Sequence, residues 1–140
     1  AHSKEILSSS AASKSSNLKF TLKSLTQYRD TAEILKDSFK KIGINVEIVD
    51  VQSVPDSFQM FLGDFNLSRD PDQYLLWHSN QNSNITNYKN LRIDKLLEDG
   101  RKTSNVNERK KIYSDFQKYL LDDSPASFLY LPFTYDVSRI

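Results

Sequence analysis

Two carboxylates and a histidine lie close together in residues 66–84, NLSRDPDQYLLWHSNQNSN. Asp70 and Asp72 flank a proline, and His78 follows shortly after them. Paired carboxylates can serve as general acid and base, and a histidine can act as a base or bind a metal ion. These residue types therefore allow a small α/β hydrolase or transferase that uses Asp70, Asp72 and His78.

A structural role for the same residues is favoured over catalysis. Asp70 before Pro71 is typical of an N-cap, so we expect a short helix from Pro71 to about Trp77. A metal site needs three or four ligands, and the one other histidine, His2, is near the N-terminus. The sequence also has no cysteine and no GxSxG nucleophile motif. We therefore expect no enzyme, no metal site and no cofactor.

The composition is that of an ordinary globular protein. The 140 residues are 38% hydrophobic and 26% charged, and the formal net charge is +1. This charge balance lacks the basic excess that binding to nucleic acid would require. A chain of this length can bury a core of its own. We therefore expect one compact domain and no nucleic-acid partner.

Hydrophobic periodicity predicts an alternation of strands and helices. Alternating apolar residues indicate strands over residues 18–22, 44–48 and 58–63, and a helical stripe over 30–43 separates the first two. A strand–helix–strand unit of this length indicates a parallel pair of strands. Two more helices are expected, one from about Leu91 to Arg101 after an Asn90 cap, and one after an Asn105 cap that ends before Pro125. An edge or bent strand over 127–137 is expected to return to the sheet.

Six phrases of the sequence are similar to phrases that occur in the same order in a known family. They are SKEILSSS, LKFTLKS, ILKDSFKKIGINVEIVDV, DPDQYLLWHS, NYKNLRIDKLLEDGRKT and ERKKIYSDFQKYLLDDSPASFLYLPF. Together they resemble the C-terminal lobe of the family 5 solute-binding proteins of bacterial ABC importers, the peptide, dipeptide and nickel group. The resemblance implies a periplasmic-binding-protein-like α/β lobe over residues 18–140, a single domain in which helices flank a mixed sheet. Residues 1–17 are then a truncated helix and a serine-rich connector.

The resemblance also implies a function and partners. Such receptors have two lobes that close on a peptide or another small solute and deliver it to a membrane permease. The expected partners are the solute, the missing N-terminal lobe of the same protein and the ABC permease. The expected location is extracytoplasmic, in a periplasm or as a lipoprotein on the outer face of the cell membrane. A stand-alone module that binds a partner protein through the exposed inter-lobe surface stays open as an alternative.

The ligand-binding residues are expected in the loop GDFNLSR, which follows the third strand. In relatives this loop carries a GW-x-AD phrase, whose Trp offers an aromatic face and whose Asp can pair with a peptide's amino terminus. Phe65 here matches the Trp, and Leu67 or Ser68 falls where the Asp would be, so that amine anchor is missing. Asp64 could replace it, and Arg69 could pair with an anionic ligand. The candidate ligand-binding residues are Asp64, Phe65, Asn66, Leu67, Ser68 and Arg69.

Overall fold

A computed structural model describes residues 18–65, 68–131 and 137–138. Its elements are β1 (Leu18–Leu25), a 3-10 turn (Thr26–Tyr28), α1 (Arg29–Lys41), β2 (Ile44–Val51), β3 (Met60–Leu62), α2 (Tyr74–Trp77), α3 (Leu91–Lys102) and α4 (Val106–Asp123). The chain divides into two compact units, with the boundary between residues 66 and 67. Each unit has a hydrophobic core of its own, and the assignment of residues 18–140 to one lobe stays a prediction. Within the described residues, no helix is both long and apolar enough to cross a membrane.

The first unit is a three-stranded parallel sheet in the order β2-β1-β3. β1 pairs with β2 along its full length, from Leu18 opposite Ile44 to Leu25 opposite Val51. Because side chains alternate along each strand, the apolar set of β1 and β2 faces one side of the sheet. The two strands pair in parallel and the helix α1 connects them, so the predicted parallel pair is confirmed. The core of this unit contains Leu22, Ala32, Val46 and Leu62.

The third strand is shorter than the six residues predicted. It spans only Met60–Leu62, because the side chain of Gln59 takes the place of a backbone partner: its Oε1 atom accepts a hydrogen bond from the N–H of Thr21 at 2.8 Å. Phe58 still packs on Phe61, with ring centroids 5.5 Å apart. Pairing with β1 therefore begins only at Leu22 opposite Met60.

The sheet is parallel throughout the described residues, so the expected mixed sheet is not observed there. The strand that would have made it mixed was predicted over residues 127–137. Residues 127–131 form no strand, and residues 132–136 lie outside the described part of the chain. The apolar and β-branched residues of this segment favour a strand. A strand also needs a neighbouring strand to pair with, and composition alone does not provide one.

The second unit is built on the pair of helices α3 and α4. Asn90 and Asn105 cap them as predicted: each side chain accepts hydrogen bonds from two backbone N–H groups of the first turn. The helices approach closely at Gly100, where an added Cβ would lie 2.8 Å from the ring of Tyr113. The buried core of this unit comprises Trp77, Ile93, Leu97, Tyr113, Phe116 and Leu120.

Candidate functional site

The carboxyl edge of the parallel sheet carries two of the predicted ligand-binding residues. Ser24 near the end of β1 lies opposite Leu62 at the end of β3, so both strands finish at the same edge. The chain leaves β1 toward β2, whereas β3 lies on the opposite side of β1. In open parallel sheets, ligands bind beyond the carboxyl ends of the strands at such a change of direction. The loop that follows β3 begins at this point with Gly63, Asp64 and Phe65.

Asp64 is held by a tyrosine from the turn that follows β1. The Tyr28 hydroxyl donates a hydrogen bond of 2.8 Å to Asp64 Oδ2. Tyr28 is half-buried and packs against the core of the first unit, whereas Asp64 is exposed. Phe65 also remains 45% exposed. The edge therefore presents an oriented carboxylate and, at the next position of the chain, an exposed aromatic residue.

Gly63 lets the backbone at the end of β3 pass close to the side chains of Phe61 and Leu25. A Cβ at this position would lie 2.7 Å from the ring of Phe61 and 3.3 Å from Leu25 Cδ1. A larger residue would therefore push the ring of Phe61 away from its place beside Phe58. The absence of a side chain at Gly63 therefore leaves the Phe61 ring in place just before Asp64.

The other four predicted site residues are distributed differently. Asn66 and Leu67 lie outside the described residues. Ser68 and Arg69 are exposed and belong to the second unit, where Ser68 Oγ accepts a hydrogen bond from the N–H of Asp70 at 3.2 Å. The structure thus brings together Asp64 and Phe65 within one unit, and a common ligand surface for all six residues stays a prediction.

Asp70 and Asp72 form two successive turns instead of a helix cap. Asp70 Oδ1 accepts a hydrogen bond from the N–H of Asp72 at 2.8 Å, and Asp72 Oδ1 accepts one from the N–H of Tyr74 at 3.0 Å. The helix therefore begins at Tyr74, and the predicted start at Pro71 is wrong. Aspartate favours both a cap and such a turn for the same reason, since its carboxylate accepts from nearby backbone N–H groups.

Both carboxylates are also paired with arginines of the two long helices. Asp70 Oδ1 lies 2.6 Å from Arg109 Nη2, and Asp72 Oδ2 lies 2.7 Å from Arg101 Nε. The hydrogen bond from Arg109, followed by the N–H of Asp72, lowers the pKa of Asp70. A general acid needs the opposite shift, because it must hold its proton near neutral pH. This arrangement fixes the loop to the helices and does not favour acid catalysis.

His78 is buried among partners other than these two aspartates. Its Nδ1 atom accepts a hydrogen bond from the N–H of Asn80 at 3.2 Å, and its ring stacks on Tyr74 with centroids 4.2 Å apart. Its carboxylate neighbours come from α3: Asp94 Oδ1 lies 4.0 Å from Nδ1, and Glu98 Oε1 lies 3.5 Å from Nε2. The hydrolase hypothesis required His78 to meet Asp70 or Asp72, so it loses its geometric basis.

Asp94 is a structural residue that sequence reasoning missed. It is buried, and its Oδ1 atom accepts a hydrogen bond of 2.8 Å from the N–H of Ser79. The available signal was its place beside Ile93 and one turn before Leu97 and Glu98 on an amphipathic helix. No group of three or more His, Cys, Asp or Glu residues that could hold a metal ion occurs in the described part of the chain.

A cavity of about 370 Å³ lies elsewhere in the first unit, between α1 and the two longer strands. Its cationic residues Lys19, Arg29 and Lys36 are each paired with a carboxylate of the same unit. Because this neutralises the positive charge, the cavity does not have the properties of an anion site. The carboxyl edge with Asp64 remains the better candidate for ligand contact.

The pairing of Asp70 gives a prediction for acid stability. Because its pKa is lower in the folded protein, Asp70 stabilises the second unit above its ordinary pKa of 3.8, and this contribution disappears as the pH falls through the lowered value. We expect Asp70→Asn to lower the urea midpoint at about pH 7, and the difference from the original protein to shrink as the pH falls below the ordinary pKa of Asp70. Trp77 fluorescence measures the midpoint at each pH. An Asp115→Asn control on an exposed site should leave it unchanged, and a deficit for Asp70→Asn that persists undiminished in acid would contradict the ion-pair explanation.

The chain is similar in sequence to a known oligopeptide-binding protein. No protein-family model matches the chain. The oligopeptide-binding protein AppA of Bacillus subtilis (strain 168) is 32% identical over 115 residues, which cover 74% of this chain and 21% of that protein. The chain thus spans about a fifth of the length of this curated relative.

Solved structures with the same fold come from the same group of proteins. AppA from Bacillus subtilis in complex with a nonapeptide has a TM-score of 0.77 at 26% identity, covering 87% of this chain and 29% of AppA. NikZ from Campylobacter jejuni in complex with Ni(L-His) has a TM-score of 0.68 at 29% identity, covering 77% of this chain and 25% of NikZ. These matches confirm the α/β fold of a periplasmic-binding-protein-like lobe. Sequence and fold together confirm the predicted resemblance, and the chain is related to a part of the family 5 solute-binding proteins of bacterial ABC importers.

Proposed function

We propose that this chain forms one wall of the ligand cleft in an extracytoplasmic solute receptor and that it has no enzymatic activity. Residues 18–140 would correspond to the C-terminal lobe, with residues 1–17 as the connector that precedes it. A second lobe would supply the opposite wall, and an ABC permease would receive the solute. The named functions of AppA and NikZ support a peptide or another small solute as the ligand.

The observation that carries this proposal is the carboxyl edge of the parallel sheet. Asp64 and Phe65 are exposed there, after β3 and Gly63, and Tyr28 fixes the Asp64 carboxylate. Ligands of parallel α/β folds are bound at this edge, independently of any catalytic residue. The pairing of Asp70 and Asp72 with arginines and the burial of His78 support binding over catalysis.

A chimeric receptor tests the proposal. This chain would replace the matched segment of Bacillus subtilis AppA, and closure would be followed by X-ray scattering with a peptide library. We expect compaction with at least one peptide, because closure over a ligand needs both walls. Replacing Asp64 by asparagine and Phe65 by alanine together should then weaken binding at least about tenfold in calorimetry, since a charge pair and an aromatic contact are lost.

The chain offers a matched control on α1. Asp37 and Ile34 are likewise an exposed acidic and an exposed apolar residue, and Ile34 is 67% exposed. Asp37→Asn with Ile34→Ala should leave binding unchanged. Equal losses in the two double variants would contradict the assignment of the site to the carboxyl edge. An absence of compaction with every peptide would exclude peptides as the ligand.

A further inference from the structure

The hydrogen bond between Tyr28 and Asp64 joins the ends of two neighbouring strands. Tyr28 comes from the 3-10 turn after β1, and Asp64 comes from the loop after β3, 36 residues later. The tyrosine ring packs against the core of the first unit, so its hydroxyl is a donor at a fixed place. An exposed aspartate normally samples several rotamers, but a bond of 2.8 Å to a fixed donor restricts Asp64. We infer that Tyr28 is a positioning residue that aims Asp64 at a positively charged group of the solute, an inference that rests on the proposed function.

The charge of Asp64 remains available for such a group. Three carboxylates of the first unit are neutralised within the chain, Glu33 and Asp50 by Arg29 and Glu47 by Lys19. Among the described residues, no salt bridge involves Asp64. A carboxylate has about four acceptor positions, and the Tyr28 hydroxyl occupies one of them.

An exposed aromatic residue at the next position of the chain favours the same class of ligand. Phe65 directly follows Asp64 and keeps 45% of its surface exposed. A cation is attracted both by a carboxylate and by the face of an aromatic ring, whereas an anion is repelled by the carboxylate. The solute class is therefore one that carries an ammonium or guanidinium group. Because Asp64 is already oriented, less side-chain freedom is lost on binding, which corresponds to a gain of about three- to tenfold in affinity.

An NMR titration of the 140-residue chain tests this inference. Two probes differ only in charge: trialanine amide with a free amino group, and its N-acetylated form. The free amine should shift the backbone amides of Gly63, Asp64 and Phe65 in a saturable way and more weakly at high salt, while the acetylated probe should not. Asp64→Asn should abolish the shifts. Tyr28→Phe, which keeps the ring and removes only the hydroxyl, should raise Kd about three- to tenfold while the amides of the core keep their positions.

The possible outcomes distinguish a failure of the inference about Tyr28 and Asp64 from a failure of the proposed solute binding. If Tyr28→Phe binds the amine as tightly as the original chain, Tyr28 is not a positioning residue. If both probes bind equally and Asp64→Asn has no effect, the solute-binding site stands and the recognition of a cation is wrong. If neither probe shifts these amides, this inference fails, and the chimeric receptor then decides separately whether solute binding fails with it.

Discussion

Replacing Leu97 by alanine is expected to lower the free energy of unfolding of the second unit by about 2–5 kcal/mol. Leu97 is fully buried on α3 and belongs to the cluster that includes Phe116 of α4. The substitution removes apolar contacts and leaves a cavity that the two helices can close only in part. Urea unfolding followed by tryptophan fluorescence measures the loss, because Trp77 is the single tryptophan of the chain and lies in the same cluster.

Leu121 provides the matched control for this experiment. It lies on α4 with 60% of its surface exposed, so Leu121→Ala removes the same atoms without creating a cavity. Its effect should stay within about 0.5 kcal/mol. If both substitutions cost the same, the packing of α3 against α4 through Leu97 would be contradicted.

The elements that the sequence predicted correctly depend on local physical chemistry. The alternating residues of β1 and β2, the apolar stripe of α1 and the asparagine caps of α3 and α4 act over a few neighbouring positions. Parallel pairing of β1 with β2 follows from the helix that connects them. Each of these features can therefore be derived from a short window of residues.

The features that could not be predicted depend on contacts between distant residues. The side chain of Gln59 replaces a backbone partner of Thr21 and so shortens β3. His78 meets Asp94 and Glu98, which lie on the next helix. Residue preference alone also cannot separate a helix cap from a turn, because an aspartate such as Asp70 favours both.

In the candidate site, too, the local features were predicted and the contact between distant residues was not. The family resemblance indicated the loop that contains Asp64 and Phe65, and the structure places these two residues at the carboxyl edge of the sheet. Tyr28 was not predicted, since nothing near it in the sequence indicates a partner 36 residues away. The parallel arrangement explains the contact afterwards, because it brings the end of β1 beside the end of β3.

Replacing Asp94 by alanine is the second substitution expected to have a large effect. Asp94 Oδ1 accepts the N–H of Ser79 in the turn that follows α2, and the carboxylate also faces His78. Alanine would leave that N–H without its partner in a part of the protein where water has little access. We expect a loss of about 1–3 kcal/mol in the free energy of unfolding, measured by Trp77 fluorescence in urea.

Two further variants separate the hydrogen bond from other effects of the substitution. Asp94→Asn keeps an oxygen that can accept from Ser79, so it should cost clearly less than Asp94→Ala. Asp115→Ala on the exposed side of α4 should stay within about 0.5 kcal/mol. If Asp94→Ala cost no more than Asp115→Ala, the hydrogen bond to Ser79 would contribute nothing. A full recovery in Asp94→Asn would instead show that Asp94 acts as an acceptor, and that its charge near His78 is not required for stability.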